Sequence, residues 1–481
     1  MRSPRDDLKC RLRTALVATL ATTLAACDNG SSSSDDSSGG SDRPVVAAFN
    51  AVPDMAAITF LREEERWAAL EYGNATEFRA VGADQYDLNF DTVLPGDETV
   101  TCNGSDGDGV KDEDECTRLT STSVNVIAGH EYVLGLLGRY GDLRVQVYDK
   151  EVHEFDTTTT DGDPDDEETE VQFFHWSDAL PELDVYLERP GANLSPVQAR
   201  AALTRGQEWH GVVPDGDYVI TLAPVANPSA AVYTSETFGL QEQTRVAFAI
   251  MSGAGDGTSI IRVERFRDQA GTLRDRRVST ELRFAHVVRE GGALDIYANE
   301  DFTQPLIAGL AEGAMSTYVT IPAGSLTDLE LDVSPAGNPG VLLAREEVDL
   351  ARGERSTFVL FGSAGRLDGL RVADPFRRIA THAQLRMLNT AAASLDFFIV
   401  RSGSNINTLS PTQNLTASSA TPLRLIDPDR YDIVLTRGGT DDVVFGPRTV
   451  DLSGGGIYTI IATGRTDLTS ADAVLLDDFA P

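Results

Sequence analysis

The stretch Leu282-Arg283-Phe284-Ala285-His286, with Leu294-Asp295-Ile296-Tyr297 beginning eight residues after His286, decides the fold. Both segments are short and rich in branched and aromatic side chains, which marks two β-strands separated by a turn. The pair does not stand alone. Its first strand recurs as Val45-Val46-Ala47-Ala48-Phe49-Asn50, Val171-Gln172-Phe173-Phe174-His175 and Leu385-Arg386-Met387-Leu388-Asn389. Its second recurs as Ile58-Thr59-Phe60, Leu183-Asp184-Val185-Tyr186 and Leu395-Asp396-Phe397-Phe398. Measured on Asn50, His175, His286 and Asn389 the periods are 125, 111 and 103 residues. That is too long for a solenoid and suits four consecutive domains.

Further landmarks recur inside each repeat. A mid-repeat turn feeds an alternating strand at Asp84-Gln85-Tyr86-Asp87-Leu88, Gly216-Asp217-Tyr218-Val219-Ile220, Ala323-Gly324-Ser325-Leu326 and Asp429-Arg430-Tyr431-Asp432-Ile433. Strand, turn and strand close repeats 1 and 4 at Val126 to Tyr132 and Leu452 to Thr459. The pattern is period-two alternation with frequent turn residues. It predicts an all-β chain of four tandem immunoglobulin-like antiparallel β-sandwich domains, with a barrel as the alternative. The antibody-type Cys…Trp…Cys signature is missing. Helical periodicity is nearly absent; Ser195 to Leu203 could form one short helix.

The expected divisions are a signal peptide (1–26), a Ser/Asp/Gly-rich tether (27–43), sandwich 1 (44–156) with an insert at 95–123, an acidic linker (157–169), sandwich 2 (170–275), sandwich 3 (279–378) and sandwich 4 (381–481). Short or acidic linkers predict weak coupling between neighbours. Strands of 25–35 Å then predict a string of modules projecting about 100 Å.

The run Phe284-Ala285-His286, Ala293-Leu294-Asp295-Ile296-Tyr297 and Tyr318-Val319-Thr320-Ile321-Pro322-Ala323-Gly324 resembles the bacterial domain-of-unknown-function family 4397. Gly456-Ile457-Tyr458-Thr459-Ile460-Ile461-Ala462-Thr463-Gly464 is similar to that family's closing strand. The resemblance implies Ig-like modules, often tandem and often on envelope lipoproteins. It implies no activity, since the family has none established. Repeat 1 departs from it by carrying Thr59 in place of the second-strand aspartate and by its long insert.

The N-terminus supplies an address. A basic start (Arg2, Arg5, Lys9, Arg11, Arg13) and a short apolar stretch lead to Leu24-Ala25-Ala26-Cys27. This reads as a lipoprotein signal, with Cys27 acylated and the protein held to the membrane by its lipid. Asp28 resembles the Gram-negative inner-membrane retention signal, so the expected site is the inner membrane facing the periplasm, with the outer membrane as the alternative. No later apolar run is long enough to span a bilayer as a helix. The formal charge of −35 argues against nucleic acid as a partner. Of four cysteines, Cys10 leaves with the signal and Cys27 takes lipid, leaving Cys102 and Cys116 to form a disulfide in an oxidising compartment.

Between those two cysteines lies the one cluster with metal-site character. With Gly109 at the sharp turn of a calcium loop, Asp106 and Asp108 fall at the third and fifth positions. The Val110 carbonyl, Asp112 and Glu115 follow at the seventh, ninth and twelfth. Gly104 at the first position departs from the pattern, and a solvated acidic loop is the alternative. Calcium is the only cofactor suggested. The six histidines show no metal-ligand spacing. His175 and His286 share a repeat position with Asn50 and Asn389, which predicts a structural hydrogen bond to a turn. No nucleophile elbow, zinc helix, phosphate loop or dinucleotide fingerprint occurs. The function expected is a non-catalytic envelope lipoprotein with a structural or protein-interaction role. The alternative is glycan or peptide binding on loops at one sandwich end.

Overall fold

The computed structural model describes residues 43–95, 116–153, 155, 168–194, 199–253, 259–322, 326–363, 365–374, 377–464 and 471–478. Among these there is no α-helix. Module 1 holds β1 (Val45–Asn50), β2 (Ile58–Arg62), β3 (Glu65–Leu70), β4 (Arg79–Ala80), β5 (Asp84–Thr92), β6 (Thr117–Val126), β7 (His130–Arg139) and β8 (Asp142–Glu151). Module 2 holds β9 (Glu168–His175), β10 (Glu182–Glu188), β11 (Ala201–Thr204), β12 (Glu208–Pro214), β13 (Gly216–Ala223), β14 (Tyr233–Thr234), β15 (Phe238–Leu240), β16 (Arg245–Ser252), β17 (Ile261–Arg267) and β18 (Gly271–Leu273). Module 3 holds β19 (Thr280–His286), β20 (Leu294–Ala298), β21 (Ile307–Leu310), β22 (Val319–Ile321), β23 (Leu329–Pro335), β24 (Ala344–Val348), β25 (Arg355–Ser363) and β26 (Arg366–Ala373). Module 4 holds β27 (Ala383–Asn389), β28 (Leu395–Arg401), β29 (Gln413–Leu415), β30 (Ser419–Ala420), β31 (Arg424–Ile426), β32 (Asp429–Arg437), β33 (Val443–Leu452), β34 (Ile457–Gly464) and β35 (Ala471–Asp478).

Every module is a two-sheet sandwich with one strand order. In module 3 the sheets run β22-β19-β25-β26 and β21-β20-β23-β24, and module 1 repeats this as β4-β1-β7-β8 and β3-β2-β5-β6. The sheets are antiparallel save at one place per module. There the opening strand runs parallel to the closing one, as in β1 with β7, β9 with β16, β19 with β25 and β27 with β34. Alternation cannot reveal this, because pairing direction leaves no mark on a strand's own pattern. Each sandwich has an apolar core, for instance Phe60, Trp67 and Phe90 in module 1 and Phe284, Ile296 and Phe358 in module 3. Full burial of one such side chain is worth about 1.5–3 kcal/mol.

The modules are not weakly coupled, as the linkers suggested. The sheet containing β1, β7 and β8 packs its outer face on the sheet containing β9, β16 and β17. Between them lie Phe49, Val133, Leu137, Tyr148, Phe174, Trp176, Met251 and Phe266. Trp176 sits 4.8 Å from Phe49 and 5.1 Å from Phe174, and its Nε1 donates to the Tyr148 hydroxyl at 2.7 Å. Gly135 of β7 makes room for it: a Cβ there would lie 2.8 Å from the indole. Modules 3 and 4 meet likewise, with Ala285, Val359, Leu388 and Ile461 between their facing sheets. The chain is therefore two doublets, each two sandwiches thick.

Three other expectations change. A linear string is excluded, because Arg377, between modules 3 and 4, donates to the Met55 carbonyl of module 1 at 2.6 Å. The segment read as a short helix gives strand β11 at Ala201–Thr204, because the edge of β10 offers it a pairing register from Glu182 to Val185. The acidic linker ends sooner than its composition suggests, since Glu168 and Thr169 pair with Pro214 and Val213 as the start of β9.

Candidate functional sites

Of the residues singled out for lipid, disulfide and metal, Cys27, Cys102, Asp106, Asp108, Val110, Asp112 and Glu115 lie outside the described residues. Cys116 immediately precedes β6. No group of three or more His, Cys, Asp or Glu is arranged to hold a metal among the described residues.

At the end of each opening strand the repeated His or Asn performs one task. His286 Nε2 bonds the Gly292 carbonyl at 2.8 Å, and its Nδ1 faces the Val288 amide at 3.2 Å. His175 does the same with Leu180 and Ser177 at 3.1 and 3.4 Å. Asn50 and Asn389 substitute Oδ1, which accepts from Val52 and Ala391, and Nδ2, which donates to Leu70 and Leu415. The expectation of a turn-holding role is met at all four positions. Burial lowers the His175 pKa to about 4, so the ring is neutral near pH 7.

The second-strand aspartate is a clamp. Asp295 accepts from the amides of Gly309 and Gly337 at 2.7 and 2.8 Å. Asp184 takes the Ala226 amide and Asp396 the Gly439 amide, at 2.7 and 2.8 Å. Ala226, Gly337 and Gly439 all belong to the turn that follows the strand paired with the clamp's own, namely β13, β23 and β32. In module 1 the corresponding connection, after β5, is the Cys-bracketed insert, and the clamp position holds Thr59. A carboxylate appears across the strand pair instead, at Asp91, and bonds Arg118 of β6. The mid-repeat tyrosines tie their own turns in the manner of a tyrosine corner. Tyr218 and Tyr431 donate to the carbonyls of Pro214 and Asp427 at 2.7 and 3.0 Å.

Ionic groups that sequence reasoning missed gather where modules meet. Lys150, the single lysine among the described residues, lies 2.5 Å from Glu170 and 3.7 Å from Glu131. Arg245 and Arg267 complete this cluster, at 3.3 Å from Glu170 and 2.5 Å from Glu131. Burial, together with Glu131 and Asp149 nearby, raises the neighbouring Glu208 carboxyl to about 7 despite Lys150. Between modules 3 and 4, Asp374 accepts from Arg386 at 2.6 Å, Thr357 at 2.5 Å and Tyr318 at 2.7 Å. Arg283 lies 3.4 Å from the same carboxylate. Arg283 and Arg386 occupy one repeat position, and each also donates to the threonine beside it on the closing strand, Thr357 or Thr459. Repeat equivalence was a usable signal here: arginine appears at this position only in the two repeats that form the second doublet.

The nearest approach to a catalytic row is Thr381, His382 and Asp427. Thr381 Oγ1 and His382 Nδ1 are 2.8 Å apart, but His382 Nε2 is 4.0 Å from Asp427, too far for a hydrogen bond. A cavity of about 240 Å³ beside module 2 is lined by Ser259, Asp275, Arg277 and Val278 among others. Its polar groups are mutually engaged: Ser259 donates to Asp275 at 3.0 Å, and Asp275 accepts the Arg277 amide at 3.0 Å.

No curated protein matches the chain. A family model described as Domain of unknown function (DUF4397) matches residues 280–398. The match covers module 3 from β19 onward, then β27 and the first part of β28, so it reaches into the next module's opening hairpin. Over this stretch the chain is similar to that family. Among solved structures, the C-terminal domain of AlgF from P. aeruginosa is similar at 18% identity and a TM-score of 0.16, covering 20% of this chain and 96% of that one. The Bacillus anthracis TIE protein is similar at 8% identity and a TM-score of 0.14, covering 86% of this chain and 66% of that one. Likenesses this loose carry no argument about role.

Proposed function

We propose that the chain is a non-catalytic cell-envelope protein, exported and anchored by lipid at Cys27, with a structural or protein-interaction role. The observation that carries this reading is the packing of the outer sheet faces into doublets, which fixes the modules against one another as a scaffold requires. The recurring His, Asn, Asp and Tyr residues support it, since each is committed to holding a turn. Pulldown and glycan-array screening of the soluble chain from Arg43 onward test the role. A specific envelope-protein partner is the expected outcome; turnover of a substrate, lost on one point substitution, would reject it. Metabolic labelling with a fatty-acid analogue tests the anchor, and equal labelling of wild type and Cys27→Ser would reject that.

A second reading concerns the insert, favoured by the absence of the aspartate clamp in the one module whose turn is expanded. On it the loop is pinned by a Cys102–Cys116 disulfide and binds calcium through Asp106, Asp108, Val110, Asp112 and Glu115. With a poor first ligand the affinity expected is roughly 10⁻⁴–10⁻³ M. Calcium at tenfold its dissociation constant adds about 1.4 kcal/mol, so millimolar calcium should raise the melting point and Glu115→Gln should abolish the rise. An equal rise in the variant leaves only an acidic loop.

A further inference from the structure

Two kinds of joint hold the four modules together. Within each doublet the joint is an apolar layer between sheets. Between doublets it is polar. Among the described residues, each apolar cluster belongs to one module or to one doublet. The linker 274–278 stays with module 2, where the Arg276 amide donates to the Thr234 carbonyl and Glu236 to Arg274. The segment 377–380 instead crosses to module 1. Arg377 reaches the Met55 carbonyl, the Ala380 amide donates to the Asp54 carbonyl at 2.7 Å, and Arg377 lies 3.6 Å from Glu71. Ile379 between them is fully buried.

Both joints converge on Tyr72, in the turn after β3. Its ring belongs to the apolar layer of the first doublet. Its hydroxyl donates to the Ser252 carbonyl of module 2. Two guanidiniums stand within cation–π range of the ring, Arg262 of module 2 and Arg377 of the strap, each 5.6 Å from its centroid. One side chain thus senses both how modules 1 and 2 are packed and whether the second doublet is docked.

We propose that Tyr72 and the strap Arg377–Ala380 form a latch that closes the second doublet onto module 1 and converts two doublets into one rigid body. The linker 274–278 is then the hinge on which they part when the latch opens. Apart from the buried Ile379 the latch is ionic and hydrogen-bonded, so it opens without exposing a whole apolar layer, whereas separating the sandwiches of one doublet cannot avoid that.

The test uses the full chain and two readouts, small-angle X-ray scattering and calorimetry. The wild type should scatter as one compact body and melt in a single transition. Arg377→Ala should enlarge the radius of gyration and split the melt in two, one component per doublet, while Arg377→Lys, which keeps a cation over Tyr72, restores part of the coupling. Arg377 is partly exposed, so its truncation leaves each doublet's core intact. Tyr72→Phe keeps the ring beside Arg377 and removes the hydroxyl that donates to Ser252, and should lower the single melting point without enlarging the radius of gyration. A wild type already melting as two independent halves would overturn the proposal. So would an Arg377→Ala variant with unchanged scattering and a single melt.

Discussion

Histidine and asparagine are interchangeable at the end of the opening strand because both offer an acceptor and a donor at nearly the same places. Only histidine brings a proton equilibrium with it. His175 is held at about 4, well below its unfolded value, so the unfolded chain binds the extra proton first. Its contribution is present above the unfolded pKa of roughly 6.5 and is lost as pH falls toward 4. The full loss is about 3 kcal/mol. His175→Asn, the residue found at this position in modules 1 and 4, should keep the fold and remove that part of the pH dependence. Chemical denaturation at pH 7 and pH 4 checks this, and an unchanged difference between the two would count against it. The aspartate clamp offers a second case. Asp295→Ala leaves the Gly309 and Gly337 amides without their acceptor, at a cost of about 2–4 kcal/mol. Thr59→Ala should cost less, since a neutral hydroxyl forms weaker hydrogen bonds than a carboxylate. Urea melts of the two variants compare them directly.

At the scale of the strand, the informative feature is burial on both faces. In β7, Tyr132, Leu134 and Leu136 face their own sandwich while Val133 and Leu137 face module 2. In β16 the same split places Val246, Phe248 and Ile250 inward and Ala247, Ala249 and Met251 outward. Such strands read as near-continuous apolar runs, as strands covered on both sides must. The inner half of this pattern was legible as alternation and gave the sandwiches and their number. The outer half was present in the same residues, in Ala47-Ala48-Phe49 and Phe173-Phe174, but what covers a second apolar face is decided by a sheet more than a hundred residues away. The turn-holding His and Asn were legible by equivalence between repeats. The ionic cluster around Glu170 was not, because its members come from separate strands with no common spacing; around Asp374 only the shared repeat position of Arg283 and Arg386 was legible. Trp176→Ala removes the centre of the first layer and should destabilise the first doublet by about 3–5 kcal/mol. Calorimetry in the Arg377→Ala background, where the doublets melt apart, should show that loss in the component carrying modules 1 and 2, with the other doublet little changed.

For the whole molecule, the stable unit is the doublet, and fragments can decide it. Module 3 alone, residues 279–378, would present Ala285, Val359 and the partly buried Val287, Leu370 and Val372 to water. It would also leave Asp374 without Arg386, the partner contributed by module 4. Module 4 alone, residues 381–481, would lose the mirror half: Leu388 and Ile461 uncovered, and Arg386 deprived of its aspartate. A buried charge that loses its partner costs about 3–5 kcal/mol where it stays buried; exposure relieves part of this but leaves the apolar sheet face bare. The fragment 279–481 should therefore be a monomer with one cooperative melt. Each half should melt well below it and self-associate, because the uncovered face of a second copy is the nearest substitute for the missing neighbour. Light scattering on the eluting fragments and their melting curves measure both effects. If 279–378 and 381–481 were instead monomeric and melted where the doublet does, the layer between the sandwiches would contribute nothing, and the four modules would be independent beads after all.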